Sequence, residues 1–326
     1  MNFKPIEGKN LVEGFCLIKS IDKKTSAKGD TYLDMTLSDS TGEINAKLWN
    51  YNENLHGVYD SNILVKIRGT ISAYNGADQL RVERIRPVNQ DDGVRIEDYV
   101  KSADYDAAAM YNELFLIAEN FNDKELSLLV TTILSEKRLS LLYWPAAFKL
   151  HHAIRGGLLM HTLSIVRLCI SICSIYPFVN KELLISGAIL HDIAKTEEFE
   201  VADSGIATGY SVKGNLIGHL AEGAIIVRQT ANRCGVSEET SNLIEHMLLS
   251  HHGDPEFGAA VRPMFIEAEI LSELDMLDAR IYEMKEAVEG VKVGEFTGRL
   301  WSMDNRKLYN HGKSDLNKPT ILFNNN

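Results

Sequence analysis

The stretch His191-Asp192-Ile193-Ala194-Lys195 directly follows an apolar run, Leu183-Leu184-Ile185-Ser186-Gly187-Ala188-Ile189-Leu190, which predicts a buried helix. A buried imidazole and carboxylate are costly unless they are paired or bind a metal. Helical spacing would place His191, Asp192 and Lys195 on neighbouring surface. The stretch therefore predicts two metal ligands beside an ammonium group that can meet a phosphate. Taken alone, it is equally compatible with His191 and Asp192 simply ending a helix, because short motifs often occur by chance.

Further histidines and aspartates lie in, or at the ends of, apolar helical segments. In chain order the candidate metal ligands are His161, His191 with Asp192, His219, His251 with His252, and Asp275. Asp278 lies one helical turn from Asp275 and competes with it for the last position, for which the spacing favours Asp275. His246 precedes His251 by five residues and would face elsewhere on a helix.

This series of ligands resembles the HD-domain superfamily of metal-dependent phosphohydrolases, in its two-metal form. The resemblance implies a first ion held by His161, His191, Asp192 and Asp275, and a second held by Asp192, His219, His251 and His252. Asp192 would then bridge the two ions, and Lys195 would add positive charge at the phosphate, so these two are the expected catalytic residues. Mixed nitrogen and oxygen ligands suit Mn, Fe, Co or Zn better than Mg. We expect two such ions, with manganese favoured and iron, cobalt or zinc as alternatives, because the spacing does not choose among them.

The composition sets limits on the class of protein. The chain has 326 residues, 45% of them hydrophobic, which is enough for two domains with a sizeable core. The N-terminus lacks the apolar core of a signal peptide, no apolar run of bilayer length is expected, and the four cysteines predict reduced, buried thiols in a cytoplasmic protein. The net charge of −11 argues against a broad electrostatic surface for nucleic acid, but it allows a local basic groove.

The N-terminal part of the chain reads as strands. Residues 32–39 and 44–49 alternate with period two on either side of Ser40-Thr41-Gly42-Glu43, which predicts a hairpin. Further strands are predicted over 15–21, 62–71 and 79–87, the last after the turn Asn75-Gly76. About five such strands suggest a small closed barrel, and the pattern from Met35 to Ile44 resembles the OB-fold of nucleic-acid-binding proteins.

We therefore expect a multidomain protein, with a small all-β OB-fold barrel followed by an all-α HD domain. The expected boundaries are a barrel over residues 1–90, an acidic linker over 91–104, the HD domain over 105–290 and a polar C-terminal tail over 291–326. Trp301 and Tyr309 are the expected anchors of the tail.

The barrel carries candidates for binding single strands. The aromatic candidates for base stacking are Trp49, Tyr51, Tyr32 and Tyr74, and the candidates for phosphate contacts are Lys47, Lys66, Arg68, Arg81, Arg84 and Arg86. For any one of these residues an ordinary structural role is favoured, with Trp49 filling the barrel and the charges solvated. For the barrel as a whole, strand binding is favoured because OB-folds commonly bind strands. In the helical part, His151, His152 and Arg155 are candidate substrate contacts.

An OB-fold joined to an HD domain resembles the YhaM-type bacterial exoribonucleases. Local strings agree with this resemblance: His151-His152-Ala153 before Gly156-Gly157-Leu158, Gly214-Asn215-Leu216-Ile217-Gly218-His219, and His251-His252-Gly253 before Pro263. The resemblance implies 3′-to-5′ hydrolysis of single-stranded RNA to nucleoside 5′-monophosphates. It leaves open whether single-stranded DNA is a second substrate and whether the chain forms a homo-oligomer, and no membrane partner is expected.

Three alternatives remain at this point. An HD phosphohydrolase of a small nucleotide would not need the barrel. A DNA-binding replication or regulatory factor could keep the HD domain as a scaffold, although burying so many histidines and aspartates without metal is costly. Purely structural metals would leave Lys195 and the glycine-rich loops unexplained.

Overall fold

The computed structural model describes residues 3–6, 11–26, 29–39, 41–74, 77–95, 98–148, 153–202 and 204–323. The chain divides into two compact units, Met1–Ser102 with Val201–Thr208, and Ala103–Glu200 with Gly209–Asn326. The first contains a β-barrel and the second is built mainly of helices, so the predicted fold class is confirmed.

The barrel consists of strands joined mainly by antiparallel ladders. The strands are β1 (Lys4–Ile6), β2 (Leu11–Thr25), β3 (Thr31–Asp39), β4 (Gly42–Leu48), β5 (Leu64–Tyr74) and β6 (Ala77–Pro87), with the short helix α1 (Glu53–His56) after β4. Strands β2 to β6 close in the order β2-β3-β4-β6-β5, because β5 also pairs with β2. The contact between β4 and β6 is parallel. The short strand β1, which pairs with β2, was missed by the sequence analysis.

Alternation along the strands fills the barrel. Leu37 lies opposite Ile44, and Leu33 opposite Leu48, which confirms the predicted hairpin of β3 and β4. The interior contains the fully buried side chains of Ile18, Met35, Leu37, Leu48, Ile67 and Leu80. Trp49 is only partly buried and lies outside this core. Leu48, rather than Trp49, therefore fills the barrel.

The second unit contains nine helices among its described residues. They are α2 (Ala107–Glu119), α3 (Lys124–Leu141), α4 (Gly157–Ile175), α5 (Lys181–Leu190), α6 (Lys195–Glu198), α7 (Val212–Leu216), α8 (Gly218–Cys234), α9 (Glu238–Ser250) and α10 (Ile266–Glu289). Asp123 caps α3 by accepting hydrogen bonds from the backbone amides of Glu125 and Leu126. A two-stranded sheet that the sequence did not predict follows α6; it pairs β7 (Phe199–Val201) with β8 (Ala207–Tyr210).

Helix α5 is the centre of the helical unit. Every residue from Leu183 to Leu190 is buried, as the apolar run predicted. The helices α3, α4, α9 and α10 all pack against α5. Residues of several helices can therefore meet where α5 ends, beside His191.

Helix α4 is long and apolar enough to cross a membrane by length and composition, with a mean hydropathy of 1.9. The expectation that no run has this length was therefore wrong. In the structure 56% of this stretch is buried, and α4 packs against α2, α5 and α10. This packing explains its apolar character, as in the core helix of a helical domain.

The cysteines are free thiols. Cys16, Cys169 and Cys173 are buried, whereas Cys234 is only partly so. Burial raises the pKa of the Cys16 and Cys169 thiols, which keeps both neutral.

The C-terminal segment after α10 belongs to the helical unit. Its buried side chains include Met303, Leu308 and Leu322. Trp301 and Tyr309, the expected anchors, are 75% and 48% exposed, so that expectation was wrong. A short 3₁₀ helix, Trp301–Met303, holds Trp301 in the open while Met303 is buried.

Gly69 provides a test of the barrel. It lies where the pairing of β5 with β6 shifts register, and a Cβ atom there would lie 2.3 Å from the carbonyl oxygen of Arg81. Gly69→Ala should therefore lower the free energy of unfolding by about 1–3 kcal/mol. Urea denaturation of this variant should be compared with that of Ser72→Ala, an exposed position on the same strand. Equal midpoints for the two variants would contradict the close approach.

Candidate active site

The predicted metal ligands meet at one place in the helical unit. His161 lies in the first turns of α4, and His191 and Asp192 directly follow α5. His219 is the second residue of α8, and His251 and His252 directly follow α9. Asp275 lies within α10. Two groups of these side chains have ligand atoms within 4.8 Å of one another: His161 with His191 and Asp192, and His219 with His251 and His252.

The first group surrounds the Nε2 atom of His161. This atom lies 3.3 Å from Nε2 of His191 and 3.1 Å from Oδ1 of Asp275. Oδ2 of Asp192 lies 3.3 Å from Nε2 of His191. Two ligand atoms that are each about 2.1 Å from one ion lie about 3–3.5 Å apart, so this spacing fits a shared divalent cation.

The second group surrounds the other oxygen of Asp192. Its Oδ1 atom lies 3.5 Å from Nε2 of His219 and 3.7 Å from Nε2 of His251. The rings of His251 and His252 are neighbours, with centroids 4.4 Å apart. The Asp192 carboxylate thus lies between the two groups, as the predicted bridging role requires.

A second layer of contacts fixes the histidine rings. In each ring the Nδ1 atom is within hydrogen-bonding distance of an oxygen: Asp278 Oδ2 for His161 at 2.8 Å, Ala188 O for His191 at 2.9 Å, Glu198 Oε1 for His219 at 3.0 Å, Leu248 O for His251 at 2.7 Å, and Phe257 O for His252 at 3.2 Å. Because these oxygens accept, Nδ1 carries a proton and donates, and in a neutral ring Nε2 then keeps a lone pair. Such contacts orient histidine ligands in metal sites.

Three unpartnered atoms show that the site fits a metal. Asp192 Oδ1, His219 Nε2 and His251 Nε2 are buried and have no hydrogen-bond partner among the described residues. An unsatisfied buried polar atom costs about 1–3 kcal/mol. Asp192 Oδ1 lies 3.5 Å from His219 Nε2 and 3.7 Å from His251 Nε2, so one cation could contact all three atoms.

Local charges keep the carboxylates ionised. Burial alone would raise the pKa of the Asp192 carboxyl, but Lys195 and His191 outweigh burial and hold this pKa well below its usual value. Burial is likewise outweighed at Asp275, where His161 and other histidines depress the pKa. Both side chains therefore carry the negative charge that metal binding needs.

The pKa values of the histidines are shifted in opposite directions. Burial lowers the pKa of His251 and His252, and neighbouring histidines lower it further, so both rings are neutral ligands at pH 7. Burial also lowers the pKa of His161, but Asp275 and Asp278 outweigh it and raise this pKa to about 10. An ion at the first group would therefore displace a proton from His161.

The structure gives Asp275 and Asp278 different positions. Asp275 faces Nε2 of His161, whereas Asp278 faces Nδ1 on the other side of the ring. The hydroxyl of Ser164 also donates to Asp278. This geometry supports Asp275 as the ligand and Asp278 as the residue that orients His161.

Glu198 orients His219 in the same way, because its Oε1 atom accepts from Nδ1 of that ring. The sequence did not predict this role. The one feature of the sequence that could have indicated it is the position of Glu198 three residues after Lys195.

Lys195 lies beside the bridging carboxylate. Its ammonium nitrogen is 2.6 Å from Asp192 Oδ2, and its side chain is 14% exposed. The turn from Asp192 to the start of α6 explains this contact, because the Lys195 amide donates to the carbonyl of Asp192 at 3.0 Å. Lys195 also lines a cavity that opens onto the metal-ligand residues, so it can reach a bound phosphate.

Of the proposed substrate contacts before α4, only Arg155 lies among the described residues. His151 and His152 lie outside the described residues. The Arg155 guanidinium lies over the ring of Tyr143, 5.5 Å from its centroid. A role for Arg155 toward substrate stays a prediction.

On the barrel, one group of predicted nucleic-acid contacts forms an aromatic surface. The rings of Tyr32 and Trp49 stack with centroids 4.5 Å apart, and Lys47 lies over both rings. Arg81 is opposite Lys47 across the ladder of β4 and β6. We call these four residues the Tyr32–Trp49 surface. Tyr51 does not contribute, because it is buried and donates its hydroxyl to the carbonyl of Gly57.

A second group of predicted contacts lines a separate cleft of about 430 Å³ on the barrel. We call it the basic cleft, because its lining includes Lys66, Arg68, Arg84 and Arg86. Across β5 and β6, Lys66 lies opposite Arg86 and Arg68 opposite Arg84. Lys66 is paired with Glu13 at 3.1 Å, and Arg86 with Asp92 at 2.6 Å. The side chain of Tyr74 lies outside the described part.

The barrel and the helical cluster define a class of protein, one that joins an OB-fold to an HD domain. Residues 18–88 match the family of the OB-fold nucleic acid binding domain, and residues 158–280 match the HD domain family.

Whole-chain relatives are more specific. The chain is 35% identical to the 3′-5′ exoribonuclease YhaM of Bacillus pumilus, over 90% of this chain and 92% of that protein. It is 34% identical to the protein of the same name in Listeria welshimeri, over 92% of this chain and 95% of that protein. It is 33% identical to the protein of this name in Bacillus subtilis, over 91% of this chain and 94% of that protein. The chain therefore belongs to the YhaM family.

The orienting role of Asp278 can be tested. Asp278→Asn keeps an acceptor for His161 but removes the charge, so metal affinity should fall about 10-fold or more. Equilibrium dialysis against manganese measures this affinity directly. Glu273→Gln, an exposed charge removal on the same helix, is the matched control. Parental affinity in Asp278→Asn would show that Asp278 has no part in the metal centre.

Proposed function

We propose that this protein is a metal-dependent 3′-to-5′ exoribonuclease that hydrolyses single-stranded RNA and releases nucleoside 5′-monophosphates. The observation that carries the proposal is that two unpartnered, buried histidine nitrogens face the unpartnered Oδ1 atom of Asp192, whose Oδ2 atom pairs with the ammonium group of Lys195. The names of the YhaM relatives supply the direction of hydrolysis and the type of substrate. Incubation of end-labelled RNA with manganese, followed by identification of the released nucleotide, tests the proposal.

The ligand positions support two divalent ions. His161, His191, Asp192 and Asp275 would hold one, and Asp192, His219, His251 and His252 the other. The donor set favours manganese, with iron, cobalt or zinc as alternatives. Such ions would lower the pKa of a water molecule and neutralise charge on the phosphate.

The chain's own residues have distinct tasks in this proposal. The oxygens that accept from Nδ1 hold each histidine ring in one orientation, so the site is formed before substrate binds. Lys195 reaches the cavity from Asp192 and supplies a charge–phosphate contact that strengthens as negative charge develops. The barrel supplies affinity for the rest of the strand.

Variants of Asp192 and Lys195 separate bridging from phosphate contact. Asp192→Asn should lose most of both ions, because asparagine keeps the shape of the side chain without the charge. His161→Ala should lose mainly the first ion and His219→Ala mainly the second. Lys195→Ala should retain both and slow RNA hydrolysis about 100-fold. The measurement is metal per chain by elemental analysis beside the hydrolysis rate.

Asp304→Asn, at a side chain that is 83% exposed, is the control for the loss of one carboxylate. Full metal content and full activity in Asp192→Asn would refute the bridging role. Asp192 would then be a residue that simply ends helix α5.

The barrel's two surfaces can be tested separately. Trp49→Ala should weaken binding of long RNA by about 1–3 kcal/mol, through loss of base stacking. The pair Arg68→Ala and Arg84→Ala should weaken binding and reduce the slope of log affinity against log salt by about two. Neither change should alter hydrolysis of a very short oligonucleotide. Lys23→Ala, at an exposed residue of β2 outside both surfaces, is the control. A surface whose variants bind long RNA like the parent has no role in binding.

A further inference from the structure

Two cavities open onto the metal-ligand residues of the helical unit. One has a volume of about 540 Å³ and the other about 290 Å³. His252, Asp275 and Met276 line both, so the cavities lie on two sides of the same centre.

The larger cavity, which we call the aromatic cavity, has ring side chains on its walls: Phe148, Phe199, Tyr210 and Trp301. Tyr210 packs between Phe148 and Phe199, with centroid distances of 5.7 and 5.2 Å. Trp301 is 75% exposed, and no contact of its ring with another described aromatic ring is found. An indole left open on the wall of a cavity is suited to stack on a flat ligand.

The smaller cavity, which we call the polar cavity, contains Arg280 and Ser302. Arg280 is exposed on α10, five residues after Asp275. It forms no ion pair or hydrogen bond with any residue in the described ranges. A cation without a protein partner, next to a site for phosphate chemistry, is suited to bind a further phosphate.

One short turn separates the two cavities. Trp301 lines the aromatic cavity, and the next residue, Ser302, lines the polar cavity. The turn is fixed, because Ser302 donates a hydrogen bond to Glu283 of α10 and Met303 is 1% exposed. The backbone that carries Trp301 is therefore held in place before any ligand binds, which reduces the entropy lost on binding.

We propose that Trp301 stacks on a base of the single-stranded RNA in the aromatic cavity, and that Arg280 binds a backbone phosphate of the same strand in the polar cavity. This inference rests on the proposed function. The strand would then cross the metal-ligand residues between a base contact and a phosphate contact. Stacking accepts any base, so these contacts position the strand without reading its sequence.

The first test compares RNA with and without bases. On a 12-nucleotide RNA, Trp301→Ala should raise KM about tenfold and leave kcat unchanged, because binding is lost equally in ground and transition states. Trp301→Phe should retain most of the affinity. On the same RNA with abasic residues at its two 3′-terminal positions, Trp301→Ala should have no further effect. Phe296→Ala, an exposed aromatic of the same segment that lines neither cavity, is the control.

The second test concerns the phosphate. Arg280→Gln should raise KM about tenfold on both RNAs and reduce the salt slope of binding by about one. Lys285→Gln, another cation on α10, is the control. Parental KM in both Trp301→Ala and Arg280→Gln would overturn the inference. An equal loss on normal and abasic RNA for Trp301→Ala, or a change in its oligomeric mass, would also overturn the stacking role.

A binding measurement separates this inference from the proposed function. The dissociation constant is measured for RNA whose 3′-terminal linkage resists hydrolysis, with metal content checked in each variant. If the parent fails to hydrolyse RNA, the proposed function fails; a tenfold loss of binding in Trp301→Ala would still support the inference. If the parent hydrolyses RNA and the variants bind like it, only the inference fails.

Discussion

The burial of the Asp192 carboxylate is the constraint on which the helical unit depends. This side chain is 2% exposed, and an isolated charge in such a place costs several kcal/mol. Its Oδ2 atom faces Lys195 and His191, and its Oδ1 atom faces His219 and His251. One side chain thus ties both groups of ligands to a single point. The atoms that remain unpartnered at this point fit a cation.

The ends of helices bring these ligands together. The backbone carbonyls in the last turn of a helix have no amide partner within the helix. His191, which follows α5, binds one such carbonyl: its Nδ1 donates to the carbonyl of Ala188 three residues earlier. His251 does the same after α9 with Leu248. The same local arrangement therefore occurs twice, and each time it satisfies a helix end and turns Nε2 toward Asp192.

On the barrel, a register shift gives the outer face its two separate surfaces. The pairing of β5 with β6 changes between Arg68 and Gly69, and Glu83 has no paired residue in the ladder. An extra residue in one strand reverses which side chains point outward. Arg81 and Arg84, three positions apart, are consequently both exposed, the first near Lys47 and the second in the basic cleft. The glycine at position 69 allows β6 to approach closely enough for this shift.

The sequence by itself determined the two kinds of domain and the set of candidate ligands. Period-two alternation fixes which face of a strand is apolar, and apolar runs that end in His or His-Asp mark buried helix ends whose polar groups need partners. Only the tertiary structure decided which atom each ligand faces. Asp275 and Asp278 share a helix one turn apart, and their different roles follow from the two sides of the His161 ring. Likewise, the contact of Glu198 with His219, and the places of Arg280 and Trp301 on the walls of two cavities, depend on how distant segments pack, which local periodicity does not encode.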